Sequence, residues 1–283
     1  MDKTGVIVCG SKGRMGQAIV SLLKENKSLV FIAGVDAGYS TEEVSRAIPP
    51  LTGPKFGSSF YGRLPTLKEA LDNTKKIKKR VIIDFTNAAA SMKHAEKAGL
   101  SGVPIVIGST GFTEDEIKKI KSIAGKIPVV LSGNMSLGIN VLLSIVYDAS
   151  KYLGPDYDCE IVETHHRHKK DAPSGTAMML YKSVASQKGI DLSKGAVFGR
   201  HGGDAERREE EIGISSVRAG DIVGEHKVIF AGNEEVVEIT HRAVSRDNFA
   251  RGAIKAAAWL AGIKQKRGFF DMRDVLGLKK GNE

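Results

Sequence analysis

Cysteine is nearly absent from this chain: its 283 residues include two, Cys9 and Cys159. They lie far apart, form no CxxC pair, and each sits in an apolar run. The sequence therefore predicts two buried free thiols, not a disulfide framework or a cysteine-based zinc site. Aromatic residues are also scarce, at 6%, with one Trp and six Tyr. A protein that binds single-stranded nucleic acid needs stacking rings on a basic face, and this composition offers few. No run of eighteen apolar residues occurs, so no membrane-spanning helix is expected. No apolar signal-peptide core precedes the strand-like run entered at Gly5, and a reducing cytoplasm is the expected location.

Glycine and positive charge are plentiful. The 32 glycines suit tight turns feeding strands and helices. Lys and Arg number 42 against 33 Asp and Glu, a formal charge of +9. Such an excess admits nucleic acid, a membrane surface or a polyanionic small ligand. The basic residues are spread along the chain, and only Arg167, Lys169 and Lys170 fall among other reactive side chains. The length suggests about two domains of roughly 150 residues.

The apolar run Val6-Ile7-Val8-Cys9 reads as a buried strand. A Gly10-x-x-Gly13-x-x-Gly16 loop follows, then helical spacing through Leu23, then a second strand ending on Asp36. The spacing differs from GxGxxG, but the physics is the same: glycines let a backbone turn approach a pyrophosphate at a helix N-terminus. Arg14 adds a guanidinium. Asp36 lies 20 positions after Gly16, where a carboxylate accepts from ribose hydroxyls. That carboxylate repels a 2′-phosphate, and Ala37 offers no cation, so the pair leans to NADH; Lys12 and Arg14 still supply positive charge nearby. Further strands at 80–85, 104–108 and 129–131 alternate with helices, one opened by a Thr113/Glu116 capping box. This predicts an α/β fold with a doubly wound parallel sheet. Beyond about residue 135 the pattern becomes α+β. A long helix spans 137–153, a strand 159–165 and a helix about 174–187. Strands at 213–218, 224–230 and 236–241 follow, the last two an antiparallel hairpin. A closing helix, about 247–261, is placed to return to the first domain.

Glu163 to Ala177 is the most informative stretch. Three of the seven histidines, His165, His166 and His168, fall within four positions. A metal site is not expected, since His165 and His168 have no HExxH or cysteine companion and Arg167, Lys169 and Lys170 oppose a cation. Pro173-Ser174-Gly175-Thr176 reads as a helix entry that presents free N–H groups to an anion. With imidazole and ammonium beside it, the segment describes a proton-donating site for a carboxylate substrate.

The segment Glu160 to Ala177 resembles the signature of the 4-hydroxy-tetrahydrodipicolinate reductase (dihydrodipicolinate reductase) family of lysine and diaminopimelate biosynthesis. The likeness extends to the glycine loop, Asp84-Phe85-Thr86, Gly108-Ser109-Thr110-Gly111-Phe112, Asn134-Met135-Ser136-Leu137-Gly138, 218–226 and 270–276, nearly the whole chain. It implies that His165 is the catalytic acid/base and Lys169 a second proton donor. His166, Gly175 and Thr176 would hold the two substrate carboxylates with Lys169. On the cofactor side it implies Gly10, Ser11, Lys12, Gly13, Arg14, Met15, Asp36, Gly108, Ser109, Thr110, Ser132, Gly133, Asn134 and Met135, binding NADH or NADPH. Asp36-Ala37 stands where some members carry Glu-Arg. The implied domains are a Rossmann-type unit over 1–135, completed by 245–283, and a substrate and oligomerisation domain over 136–244 with an open mixed sheet. The implied assembly is a homotetramer with no nucleic-acid or membrane partner. A catalytically inactive nucleotide sensor of the same fold, the alternative, would need the loss of His165 or Lys169, and both are present.

Overall fold

The computed structural model describes residues 3–36 and 66–278. Ala37 lies outside the described residues. The chain divides into two compact units, Met1–Ser136 with Asp247–Glu283, and Leu137–Arg246.

The first unit begins with β1 (Thr4–Cys9), buried along its whole length, then α1 (Arg14–Leu23) and β2 (Leu29–Val35). After α2 (Leu67–Asn73) the alternation continues. It runs through β3 (Arg80–Asp84), α3 (Ala88–Ser101), β4 (Ile105–Ile107), α4 (Glu114–Ala124) and β5 (Pro128–Leu131). These strands pair in parallel, with β1 between β2 and β3, and β4 between β3 and β5. Continuous apolar runs such as Val81-Ile82-Ile83 suit strands covered on both faces. Helix starts are fixed locally: Thr113 and Glu116 form the expected capping box on α4, and Asn87 caps α3. Strand order reverses at β1. The chain leaves β1 toward β2 on one side and meets β3 on the other, so the loops at their carboxyl ends diverge and open a crevice.

The second unit contains α5 (Leu137–Leu153), β6 (Asp158–His165), α6 (Gly175–Lys188), β7 (Ala196–Phe198), β8 (Ile212–Arg218), β9 (Gly224–Ala231) and β10 (Val236–Ala243). Its sheet runs β10-β9-β6-β8-β7. β6, β8 and β7 are mutually parallel, whereas β9 is antiparallel to β6 and forms the expected hairpin with β10. α5 and α6 bury Leu142, Val146, Leu180 and Val184 together with Cys159, Ile161 and Phe230 of the sheet. Three-residue β7 has no readable sequence signal, because its exposed and half-exposed residues do not alternate.

The chain then returns to the first unit as α7 (Asp247–Gly262), β11 (Gly268–Phe270) and α8 (Met272–Leu276). Ala250, Ala253, Ala256 and Ala257 have no exposed surface, and their small side chains let α7 lie close against α1 and β3. β11 adds in parallel beside β5, which completes a six-stranded sheet of order β11-β5-β4-β3-β1-β2.

Candidate functional site

In the first unit, every cofactor residue read from the sequence lies in or beside a loop at a carboxyl end of the parallel sheet, apart from Arg14 and Met15, which open α1. Gly10 leaves β1 with φ +78°, and its N–H donates to the Val35 carbonyl at 2.8 Å. The Gly13 N–H donates to the Gly10 carbonyl at 3.0 Å, and the Lys12 N–H donates to Asp36 Oδ2 at 2.9 Å. Asp36 therefore shapes the loop. A Cβ at Gly16 would strike the Gly10 carbonyl oxygen, so the third glycine lets α1 start directly against the turn. No described side chain caps α1, and its first N–H groups keep their anion-binding capacity. Ser11 Oγ is buried without a hydrogen-bond partner among the described residues. These features fit a bound dinucleotide pyrophosphate.

The loops after β3 and β4 are tied together. The Thr86 N–H donates to Asp84 Oδ1 at 3.0 Å and to Ser109 Oγ at 3.1 Å, and Ser91 Oγ donates to Ser109 Oγ at 2.8 Å. Gly108 passes so close to the Phe85 ring that a Cβ would overlap it, and exposed Thr110 follows. After β5, the Ser132 N–H donates to the Ile107 carbonyl at 3.1 Å, and Ser132 Oγ donates to the Asn134 carbonyl at 2.7 Å. Gly133 is exposed and Met135 buried. Cys9, Asp84 and His94 also converge here, but His94 Nδ1 bonds directly to Asp84 Oδ2 at 2.6 Å. Burial, then the charges of Asp84 and Asp36, push the Cys9 thiol well above its usual range. A protonated thiol beside a closed pair suits packing better than metal ligation.

In the second unit, β6 delivers His165 at its last position, and His166 follows. His165 Nδ1 lies 2.5 Å from Glu163 Oε2. Arg218, directly opposite His165 in the β6–β8 register, forks onto the same carboxylate at 2.9 and 2.7 Å. The Ser174 N–H donates to Glu163 Oε1 at 3.1 Å, which pins the start of α6 to β6. Ser174 also caps α6, accepting from the Ala177 N–H at 3.1 Å, and Gly175 and Thr176 form the first turn as expected. Behind them, His226 of β9 shares a 3.0 Å hydrogen bond with Ser174 Oγ and meets the His165 ring edge-on at 5.1 Å. Lys169 Nζ donates to both carboxylate oxygens of exposed Asp171, at 2.8 and 2.9 Å. His166 Nδ1 is buried without a partner among the described residues. Desolvation, then the charges of Arg246, His165, His168 and Lys169, hold this imidazole below its usual range.

The sequence reading assigned no role to Glu163, Arg218 or His226, and placed Ser174 only in the helix entry. A signal existed for two of them. Buried positions alternate along β6 as Cys159, Ile161, Glu163 and along β9 as Gly224, His226, Val228, so each polar residue occupies a core-facing place that demands a partner. Burial alone would raise the Glu163 carboxyl, but hydrogen bonds from His165, Arg218 and Ser216 outweigh it and hold the group well below the carboxylate range. For His226, burial dominates, and with the His165 charge it pushes the imidazole down to about 3. The unfolded chain takes up this proton near 6.5, while the folded chain refuses it until about 3. Stability from a neutral His226 is present above 6.5 and lost as the pH falls toward 3. The urea midpoint is expected to decline from about pH 7.5 to about pH 5, with a shallower decline in His226→Gln. An equal slope in the two proteins would count against this role.

The chain matches the family described as dihydrodipicolinate reductase, N-terminus, over residues 4–135, and dihydrodipicolinate reductase, C-terminus, over residues 138–276. It is 46% identical over 279 residues to a 4-hydroxy-tetrahydrodipicolinate reductase of Anaeromyxobacter dehalogenans, strain 2CP-1, with 98% of this chain and 99% of the relative covered. It is 43% identical over 274 residues to the enzyme of that name from Syntrophobacter fumaroxidans, covering 96% and 98%. The fold is shared with a dipicolinate-bound dihydrodipicolinate reductase from Paenisporosarcina sp. TG-14, at 23% identity and a TM-score of 0.71, covering 95% of this chain and 98% of that one. The chain belongs to the dihydrodipicolinate reductase family.

Proposed function

We propose that this protein is an NAD(P)H-dependent 4-hydroxy-tetrahydrodipicolinate reductase, forming tetrahydrodipicolinate for lysine and diaminopimelate synthesis. The observation that carries the reading is the pairing of His165 with the start of α6 on a single carboxylate, which puts a proton donor beside an anion-binding helix end. The loop Gly10 to Met15, with Asp36, Gly108 to Thr110 and Ser132 to Met135, would hold the nucleotide. Bound there, reduced nicotinamide supplies the hydride that goes to C4 of the ring after water has left it. Gly175 and Thr176 bind one substrate carboxylate through the N-terminal N–H groups of α6, and His166 and Lys169 bind the other. Asp171 holds Lys169 in an exposed, screened ion pair that an incoming carboxylate can replace. Either His165 or Lys169 donates the proton that the resulting enamine takes up. The dipicolinate held by the relative from Paenisporosarcina is a planar dicarboxylate of the same ring class, in keeping with this assignment.

The test is nicotinamide oxidation with the hydroxylated ring substrate generated in situ. Substrate-dependent oxidation supports the reading; nucleotide binding without oxidation overturns it in favour of an inactive sensor. We assign the protein a preference for NADH, because the Asp36 carboxylate would face a 2′-phosphate with like charge. Replacing Asp36 with Ser is expected to lower the NADH/NADPH ratio of kcat/KM by about 10-fold, equivalent to about 1.4 kcal/mol. An unchanged ratio removes Asp36 from nucleotide selection. The same reading includes a cytoplasmic enzyme, which its two free thiols suit, and a homotetramer built on the five-stranded sheet, where Val217 and Val236 are exposed.

A further inference from the structure

We propose that Glu163 is a positioning residue for this chemistry: its carboxylate fixes His165 as the Nδ1–H tautomer and docks the substrate-binding start of α6 onto the end of β6. The proposal rests on the reductase reading and deepens it.

Glu163 has no exposed surface and sits in a strand, so its oxygens have fixed directions. Each oxygen receives at least two donors, and Ser216 adds a further hydrogen bond to the carboxylate. Oε2 takes His165 Nδ1 at 2.5 Å and Arg218 Nη1 at 2.9 Å; Oε1 takes the Ser174 N–H at 3.1 Å and Arg218 Nη2 at 2.7 Å. An ionised carboxylate only accepts, so the shared proton on the imidazole side belongs to Nδ1. The reactive lone pair, or after protonation the acidic N–H, is then at Nε2. That atom faces Gly224, where a Cβ would stand 3.0 Å away, so position 224 leaves it uncrowded. A carboxylate behind the opposite nitrogen orients an imidazole and stabilises its cation.

Arg218 extends the device. Besides gripping Glu163, its Nη2 donates to the Asp171 carbonyl at 2.7 Å, and Asp171 in turn holds Lys169. His165, Lys169 and the Gly175–Thr176 turn therefore all hang on one buried ion pair between β6 and β8. These groups lie on the segment 165–176, and Arg218 reaches them from β8. A shared anchor holds them in a fixed arrangement, which is what substrate positioning requires.

The test combines kinetics with nitrogen NMR on the full chain labelled at histidine, the His165 signals being identified by their loss in His165→Gln. Wild-type His165 in its neutral form is expected to be protonated at Nδ1. Glu163→Gln, close in shape, is expected to lose that tautomer and to lower kcat by about 10²-fold or more. Nucleotide affinity should be unchanged, which also shows that the variant is folded. An Nε2-protonated His165 in the wild type overturns the proposal, as does a Glu163→Gln variant with wild-type kcat and tautomer. If Glu163→Gln does not fold, the wild-type tautomer decides. Failure of the reductase reading would look different: the wild type would oxidise neither nucleotide with substrate, while the tautomer measurement would still report on Glu163.

Discussion

His165→Gln is expected to lower kcat by roughly 10²–10⁴ while leaving the KM for the ring substrate nearly unchanged. The loss corresponds to about 3–5 kcal/mol of transition-state stabilisation. The glutamine amide matches much of the imidazole's reach and can still meet the Glu163 carboxylate, but it cannot release a proton near neutral pH. The groups proposed to hold the carboxylates, His166, Lys169 and the α6 N-terminus, should stay in place because Arg218 and Ser174 keep their own bonds to Glu163. Steady-state kinetics separate the two quantities. A variant with wild-type kcat removes His165 from the chemistry, and one with intact kcat and a raised KM recasts it as a binding group.

The second large effect is expected from Gly10→Ala, in the glycine loop of the first unit. A non-glycine residue in the left-handed region costs about 1–2 kcal/mol, and Gly10 has φ +78°. The added methyl would also overlap the Phe85 carbonyl oxygen and approach Thr86 Cγ2 to 3.2 Å. That carbonyl cannot withdraw freely, because the Phe85 N–H donates to the Cys9 carbonyl at 3.1 Å and the β1–β3 ladder holds both strand ends. Overlap with fixed backbone adds about 1–3 kcal/mol. The sum should appear as a lowered Tm and a large loss of NADH affinity, read by nucleotide fluorescence. Gly102→Ala is the control. Gly102 also has positive φ, +66°, but nothing lies within 4 Å of its Cβ position. Equal losses in the two variants would show that strain alone, without the close approach of β1 and β3, explains the effect.

The first unit was legible because its signals are local. Strand, glycine turn, helix and terminal acid follow one another within 36 residues, and each carries its own residue pattern. The Thr113/Glu116 box and the cap at Ser174 are of the same kind, three-residue hydrogen bonds that a sequence shows directly. Two short elements were not legible, although three-residue β4 was, as an apolar run between Pro104 and Gly108. β7 and β11 have three residues each, too few for a period, and exist because a longer strand offers them an edge.

The residues around His165 show the same division more sharply. The sequence by itself determined that His165, His166, Lys169 and the Ser174 helix entry lie together, since they are close neighbours on one chain segment. It also determined the buried face of β6. Only the tertiary structure decided what completes that face. The β6–β8 register sets Arg218 opposite His165, and the antiparallel β6–β9 register sets His226 opposite Glu163. Registers join positions more than 50 residues apart through loops whose length constrains them little, so no local pattern announces the pairing. A buried carboxylate in the strand pattern says that a cation must arrive; the fold alone says that it is Arg218.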